Sequence, residues 1–180
     1  LISIIGSIPL WIIISILIKI DSRGPILYKQ KRVGKHNTIF NAIKFRSMVK
    51  EAEKQTGPMW AEKDDPRITI VGRFLRRFRL DELPQLLNVL KGHMSLVGPR
   101  PERPFFVEKL KQKYPFYMRR SKIRPGITGW AQIKHSYDEN IADVREKLRY
   151  DFFYIENVDI WLDLKIILTT FWVMISGKGR

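Results

Sequence analysis

The residues best equipped for chemistry are two adjacent carboxylates, Asp81 and Glu82, which follow a run of arginines at positions 67, 73, 76, 77 and 79. On a continuous helix, Arg73 and Arg77 share a face with position 81 at steps of four. The plainest reading of Asp81 is a helix N-cap, because Pro84 falls within the first turn and a stripe of Leu83, Leu86, Leu87 and Leu90 follows. A chemical reading is compatible with it. A carboxylate at a helix N-terminus among arginines is expected to have a depressed pKa and to stay ionised. The same N-terminus attracts phosphate. An ionised carboxylate beside phosphate-binding groups is what an aspartyl-phosphate mechanism requires. Glu82 is placed to hold a divalent cation such as Mg²⁺ against the approaching negative charges.

Two further segments offer phosphate chemistry. In Ser95–Glu102, Arg100 is fixed between Pro99 and Pro101. The run from Arg124 to Trp130 supplies an arginine, two glycines for close backbone approach and an aromatic surface. A Pro-flanked arginine is more often a structural turn than a ligand clamp, and neither segment has the spacing of a P-loop. The histidines at 36, 93 and 135 lack ligand spacing and read as solvated or hydrogen-bonded. With no cysteine, thiolate catalysis, disulfides and Cys-ligated zinc are excluded.

The charge balance agrees with anionic ligands. Thirty-three Lys and Arg against 18 Asp and Glu give a net charge of +15, a field that selects nucleic acid, anionic lipid headgroups or phosphorylated small molecules. The 180 residues suit one domain with a core of ordinary size. Leu1 to Ile18 carries no charge and is bounded by Lys19, Asp21 and Arg23. As a helix it reaches roughly 27 Å, against a hydrocarbon thickness of about 30 Å. Trp11, Lys19 and Arg23 are interface anchors, and no small-residue cleavage site marks a signal peptide. Membrane insertion is therefore preferred to a buried core helix, with the basic domain on the cytoplasmic side. Pro9 either kinks a spanning helix or turns it back within one leaflet. Because the chain opens on Leu1 rather than Met, further sequence is expected upstream.

These residues need elements to position them. Residues 26–33 and 38–46 read as strands joined by Gly34-Lys35-His36-Asn37, and 47–66 as an irregular stretch broken at Gly57-Pro58 and Asp64-Asp65-Pro66. Val71, Phe74, Leu75 and Phe78 have helical spacing; a second helical phase starts at Leu83 and stops at Gly92. Loops are expected at 93–104 and 121–130, with helices near 105–119 and 139–156. The apolar run 160–175, with Trp161 and Trp172, suits a helix lying in a membrane interface. No strand–glycine-loop–helix unit is present, so no doubly wound nucleotide-binding sheet is expected.

Taken together, several segments resemble the bacterial sugar transferase family, the monotopic polyprenyl-phosphate phosphoglycosyl transferases. They are Ile43-Lys44-Phe45-Arg46-Ser47-Met48, Asp65-Pro66-Arg67-Ile68-Thr69, Val71 to Arg76, Leu80-Asp81-Glu82-Leu83-Pro84-Gln85-Leu86, Asn88 to Gly92, Met94 to Glu102, Arg124 to Gln132, and Trp161 to Lys165. They keep the family's order and cover nearly the whole chain, and the Asp65–Thr69 and Glu102–Pro104 segments look most like the long, polysaccharide-initiating members. The resemblance implies that Asp81 attacks the β-phosphorus of a UDP-sugar, releasing UMP and leaving an aspartyl phospho-sugar that passes to polyprenyl (undecaprenyl) phosphate. It implies that Glu82 helps bind Mg²⁺ and that Lys44, Arg76, Arg100 and Arg124 line the phosphate site. Asp151 and Asp163 match acidic positions without an assigned role. The implied fold class is α/β and mostly helical: a small membrane-associated domain with a re-entrant N-terminal helix (1–20), then a cytoplasmic catalytic domain (21–180) with a short β-hairpin and interface-lying helices. The family's helix breaks at a Ser-Pro pair, where this chain has Ile8-Pro9 with Ser7 one place early. His93 stands for a usual Asp and Ser47 for a usual Thr.

The expected setting is the cytoplasmic face of a bacterial inner membrane, with UDP-sugar, polyprenyl phosphate and anionic lipids as partners. The sugar is not specified, and oligomeric state stays open, a homo-oligomer of the longer protein included. Two other classes compete. A nucleic-acid-binding module would use the +15 charge, but the arginines interleave with a Leu/Phe stripe and no nucleic-acid motif is present. A basic scaffold docked on anionic lipid would gain nothing from the Asp81-Glu82 pair.

Overall fold

The computed structural model describes residues 2–54, 57, 59, 65–134 and 141–177. His135, Pro58 and Asp64 lie outside the described residues, as does the side chain of Ser7. The chain enters through α1 (Ile2–Asp21), one helix that runs on through Pro9. Ile14 and Ile18, four residues apart, pack with Trp11 against Phe45 and Leu75, and the Trp11 and Phe45 rings meet edge-on at 5.3 Å. Burying side chains of this size contributes about 1.5–3 kcal/mol each. The last turn of a helix leaves carbonyls without partners. Here Arg46 supplies one, donating to the Ile18 carbonyl at 3.2 Å and the Ser22 carbonyl at 2.6 Å.

The expected hairpin forms. Strands β1 (Leu27–Val33) and β2 (Ile39–Phe45) pair antiparallel from Leu27↔Phe45 to Val33↔Ile39. His36 and Asn37 turn the chain with positive φ. Helix α2 (Ile70–Arg77) starts at Thr69, whose hydroxyl accepts from the Gly72 amide at 3.0 Å. Only glycine fits at 72, since a Cβ there would lie 2.0 Å from the Ser47 carbonyl oxygen. A 3₁₀ turn, Leu80–Gln85, leads directly into α3 (Leu86–Leu90), and Gly92 closes it at φ 73°. Asn88 fastens α3 to the hairpin by pairing with the backbone of β2: its oxygen accepts from the Ile43 amide at 3.0 Å and its nitrogen donates to the Asn41 carbonyl at 2.8 Å. That contact sets the 3₁₀ turn beside Lys44.

The two expected loops instead contain a parallel strand pair, β3 (Ser95–Val97) and β4 (Gly126–Thr128), in register Ser95↔Gly126 and Val97↔Thr128. Three-residue strands bounded by proline and glycine carry no periodicity to read. Both sheets are two-stranded, and no doubly wound sheet occurs among the described residues. Helix α4 (Pro104–Lys113) is shorter than expected, because Pro115 disfavours helical conformation at Tyr114; a 3₁₀ turn, Tyr117–Lys122, follows. The chain ends through α5 (Trp130–Lys134), α6 (Ile141–Glu156) and α7 (Ile160–Ile175). The molecule is thus mostly helical with a small hairpin. Ile166 and Leu162 seat α7 against Val97 and Tyr154, while Trp161, Leu168, Phe171, Trp172 and Ile175 stay exposed. Ile12, Ile13, Ile16 and Ile20 do the same on α1. Among the described residues no helix is long and apolar enough to cross a membrane.

Candidate active site

Four elements converge on one cavity of about 480 Å³. Lys44 comes from β2, Arg76 from the last turn of α2, Asp81 and Glu82 from the 3₁₀ turn, and Arg100 from the loop after β3. The sequence expectation that Asp81 continues the Arg73–Arg77 face does not hold. Helix α2 ends at Arg77, and Arg79 is left-handed (φ 52°, ψ 22°), so the chain swings away and leaves Arg73 and Arg77 exposed while Arg76 turns inward. Nor does Asp81 cap a helix. It lies second in the 3₁₀ turn, and the residue preceding α3 is Gln85, itself in helical conformation and without a capping bond.

The two carboxylates differ in environment. Glu82 Oε1 accepts from Lys44 Nζ at 2.7 Å and from Arg100 Nη2 at 2.6 Å. Burial opposes its ionisation, but Arg100 and then Lys44 overcome that and hold its carboxyl well below the usual range. Asp81 is equally buried yet accepts no hydrogen bond among the described residues. Burial pushes its pKa up and the Glu82 charge adds to this, with Lys44, Arg76 and Arg100 offsetting it in part. The depressed pKa expected for Asp81 thus belongs to Glu82. Burial lowers Lys44 and Arg76, whereas Glu82 raises Arg100. Arg76 Nε donates to the Ser47 hydroxyl at 2.9 Å, and its buried Nη1 has no partner among the described residues.

Other candidates fall elsewhere. The Arg124 side chain is exposed and does not line the cavity; its segment contributes backbone instead, since a Cβ on Gly98 would lie 2.6 Å from the Arg124 carbonyl oxygen. Asp151 pairs with Arg120 at 2.7 Å, and Asp163 accepts from the Tyr154 hydroxyl at 2.7 Å. The cavity also draws in Arg79 from the arginine run, and Arg32 and Arg103, which the sequence did not single out. Arg103 makes a two-pronged pair with Glu53 at 2.8 and 2.7 Å, joining two loops that are remote in sequence.

Among the described residues no cluster of three acidic or histidine side chains stands ready for a metal ion. The donor set nevertheless suits Mg²⁺ held jointly with substrate phosphates, the usual arrangement of one or two carboxylates with phosphate oxygens and water. Asp81 has unengaged oxygens, and Glu82 Oε2 makes only a 3.4 Å contact with Arg100 Nη1.

The family model described as bacterial sugar transferase matches residues 1–177, and the chain belongs to that family. It is 47% identical over 171 residues to a UDP-N-acetylgalactosamine-undecaprenyl-phosphate N-acetylgalactosaminephosphotransferase of Aeromonas hydrophila, covering 95% of this chain and 40% of the relative. A UDP-glucose:undecaprenyl-phosphate glucose-1-phosphate transferase of Escherichia coli K12 is 41% identical over 164 residues, covering 90% and 35%. An exopolysaccharide production protein of Rhizobium leguminosarum is 41% identical over 180 residues, covering 95% and 88%. The chain thus spans less than half the length of the first two relatives.

Proposed function

We propose that the chain is the catalytic portion of an enzyme that moves a sugar-1-phosphate from a UDP-sugar to polyprenyl phosphate, the first step in building a bacterial surface glycan. The supporting observation is the contrast between the carboxylates: Glu82 is held by two cations, while Asp81 is buried beside them with its oxygens unengaged. An Asp81 oxygen attacks the β-phosphorus of the donor, and the bond from that phosphorus to the bridging oxygen breaks. UMP leaves with the electron pair. A phosphate oxygen of the polyprenyl phosphate then attacks the aspartyl phospho-sugar, giving polyprenyl-diphospho-sugar and restoring the carboxylate. Lys44, Arg76 and Arg100 offset the phosphate charge. Glu82, with Asp81, would hold Mg²⁺, which when bound neutralises the diphosphate.

The names of the relatives support a UDP-sugar donor and undecaprenyl phosphate as acceptor, and their sugars differ. The exposed apolar faces of α1 and α7 support a membrane-bound domain; on the family resemblance it lies on the cytoplasmic side, with α1 entering one leaflet and returning at Pro9. Incubation with a panel of UDP-sugars and no lipid tests the chemistry. One sugar should release UMP and add a single sugar-phosphate mass to the peptide bearing Asp81. UMP release that requires both substrates would exclude the covalent route.

A further inference from the structure

Three helices of this chain end with the same geometry, and one of them ends on an unexpected residue. After α3 comes Lys91 and then Gly92 at φ 73°; after α7 comes Ser176 and then Gly177 at φ 63°. After α2 comes Phe78 and then Arg79 at φ 52°. In each case the amide of the left-handed residue donates three residues back: Gly92 to Val89 at 2.9 Å, Gly177 to Met174 at 3.2 Å, Arg79 to Arg76 at 3.0 Å. This slot favours glycine, because a Cβ strains the left-handed conformation. The chain uses glycine at the two ends that do not line the cavity and arginine at the one end that does. Side chains held in strained backbone tend to be kept for what the side chain does.

We propose that Arg79 is a binding residue for the lipid-borne phosphate of the acceptor, an inference that rests on the function proposed above. Its position favours acceptor over donor. Arg79 directly follows a helix that leaves Ile70 and Phe74 exposed. Two residues earlier, Arg77 Nε donates to the Gly177 carbonyl at 3.3 Å, joining this end of α2 to the end of α7, where Phe171, Trp172 and Ile175 are exposed. Arg79 thus enters the cavity from the end of a helix whose exposed apolar residues adjoin those of α7, whereas Glu53, Arg103 and Lys147 line the cavity from charged loops and α6. A phosphate tethered to a polyisoprenoid chain approaches along those apolar residues, with its tail kept out of water. A guanidinium there gives the phosphate a charge-assisted, two-pronged contact.

Arg79→Gly separates this role from a structural one, since glycine is the residue the backbone prefers. In full-length protein in nanodiscs, R79G should keep or raise the thermal midpoint. Its KM for polyprenyl phosphate should rise about tenfold or more, the scale of one lost charged hydrogen bond. KM for UDP-sugar should stay unchanged, and R79K should fall between. Direct titration with polyprenyl phosphate and the uncharged polyprenol gives a readout independent of turnover: wild type should prefer the phosphate, and R79G should lose most of that preference. A protein that transfers no sugar but shows this loss would sink the proposed reaction and leave the Arg79 assignment standing. Unchanged phosphate binding in R79G, a rise in the UDP-sugar KM instead, or a lowered midpoint with both KM values raised would overturn it.

Discussion

Asp151 Oδ2 lies 2.7 Å from Arg120 Nη2, with the side chains 2% and 9% exposed, and that same nitrogen donates to the backbone carbonyl of Arg100 at 2.9 Å. Asp151, outside the cavity lining, therefore acts on the site through Arg120, which anchors the loop presenting Arg100 to Glu82. Removing one partner of a buried ion pair strands the other charge. Asp151→Ala is expected to lower stability by about 3–5 kcal/mol in urea unfolding. Where the variant remains folded, kcat should fall more than KM changes, because Arg100 loses a fixed backbone anchor. Unaltered stability would show that Arg120 finds its compensation elsewhere.

Asp81→Asn separates chemistry from folding more cleanly than a capping role would allow. Burial raises the Asp81 pKa, so above the ordinary carboxylate pKa the ionised group weakens the fold. Asparagine removes that charge. Thermal stability at pH 7 should be unchanged or higher, and the difference should vanish below the pKa of unfolded aspartate. Turnover should fall by several orders of magnitude, since an amide is a very poor nucleophile towards phosphorus.

Glu82 has the opposite sign. Its pKa is depressed in the fold, so it contributes stability above the unfolded value, lost as pH falls through the folded one. Glu82→Gln should therefore be less stable than wild type at pH 7, with the gap closing towards strongly acidic pH. If Asp81 is the nucleophile proposed above, it has to be ionised to attack, and kcat/KM for UDP-sugar should show an acid limb above the usual carboxylate value of about 4. The two carboxylates titrate as a pair, so the limb belongs to both.

Excess EDTA should abolish UMP release and leave the thermal midpoint unchanged. The buried contacts of Glu82 are made by Lys44 and Arg100, which already offset its charge in the fold. Full activity in EDTA would contradict the Mg²⁺ proposal, and a large fall in midpoint would point to a structural metal.

The hairpin was legible from the loop-forming residues Gly34 to Asn37 between two short segments, α2 from the helical spacing of Val71, Phe74, Leu75 and Phe78, and α7 from its apolar run. Lys44, Arg76 and Arg100 sit in distinctive short segments, and the fold gathers all three around Asp81 and Glu82. The differences between expected and observed geometry have local causes. Arg79 adopts a conformation that glycine would have advertised, so the helical phase seemed to run through to Asp81. The Arg124 segment looked like an arginine-bearing clamp, yet pairing of β4 with β3 spends its backbone on packing and turns its side chain outward. The direction of the Asp81 shift depends on burial beneath Lys44, Arg76 and Arg100, elements up to 56 residues apart in sequence, which no local pattern records.

The absence of cysteine makes the topology of α1 directly measurable. Arg46 clamps the end of the helix at Ile18 and Ser22, and Asp21 Oδ2 accepts from the Val71 amide at 3.1 Å, so this end is fixed to the catalytic domain. Pro9 removes one backbone donor and crowds the preceding turn, at a cost of about 3 kcal/mol in a straight helix. A bend there lets the apolar face of Ile12, Ile13 and Ile16 stay in the acyl region while both ends return to one surface. Single cysteines beside Leu1 and Ile20 of the full-length protein should then react with an impermeant maleimide from the same side of sealed vesicles. Pro9→Ala should straighten the helix and move the first site towards protection or the opposite side. Labelling of wild type from opposite sides would mean that α1 spans the bilayer and that the proline only kinks it.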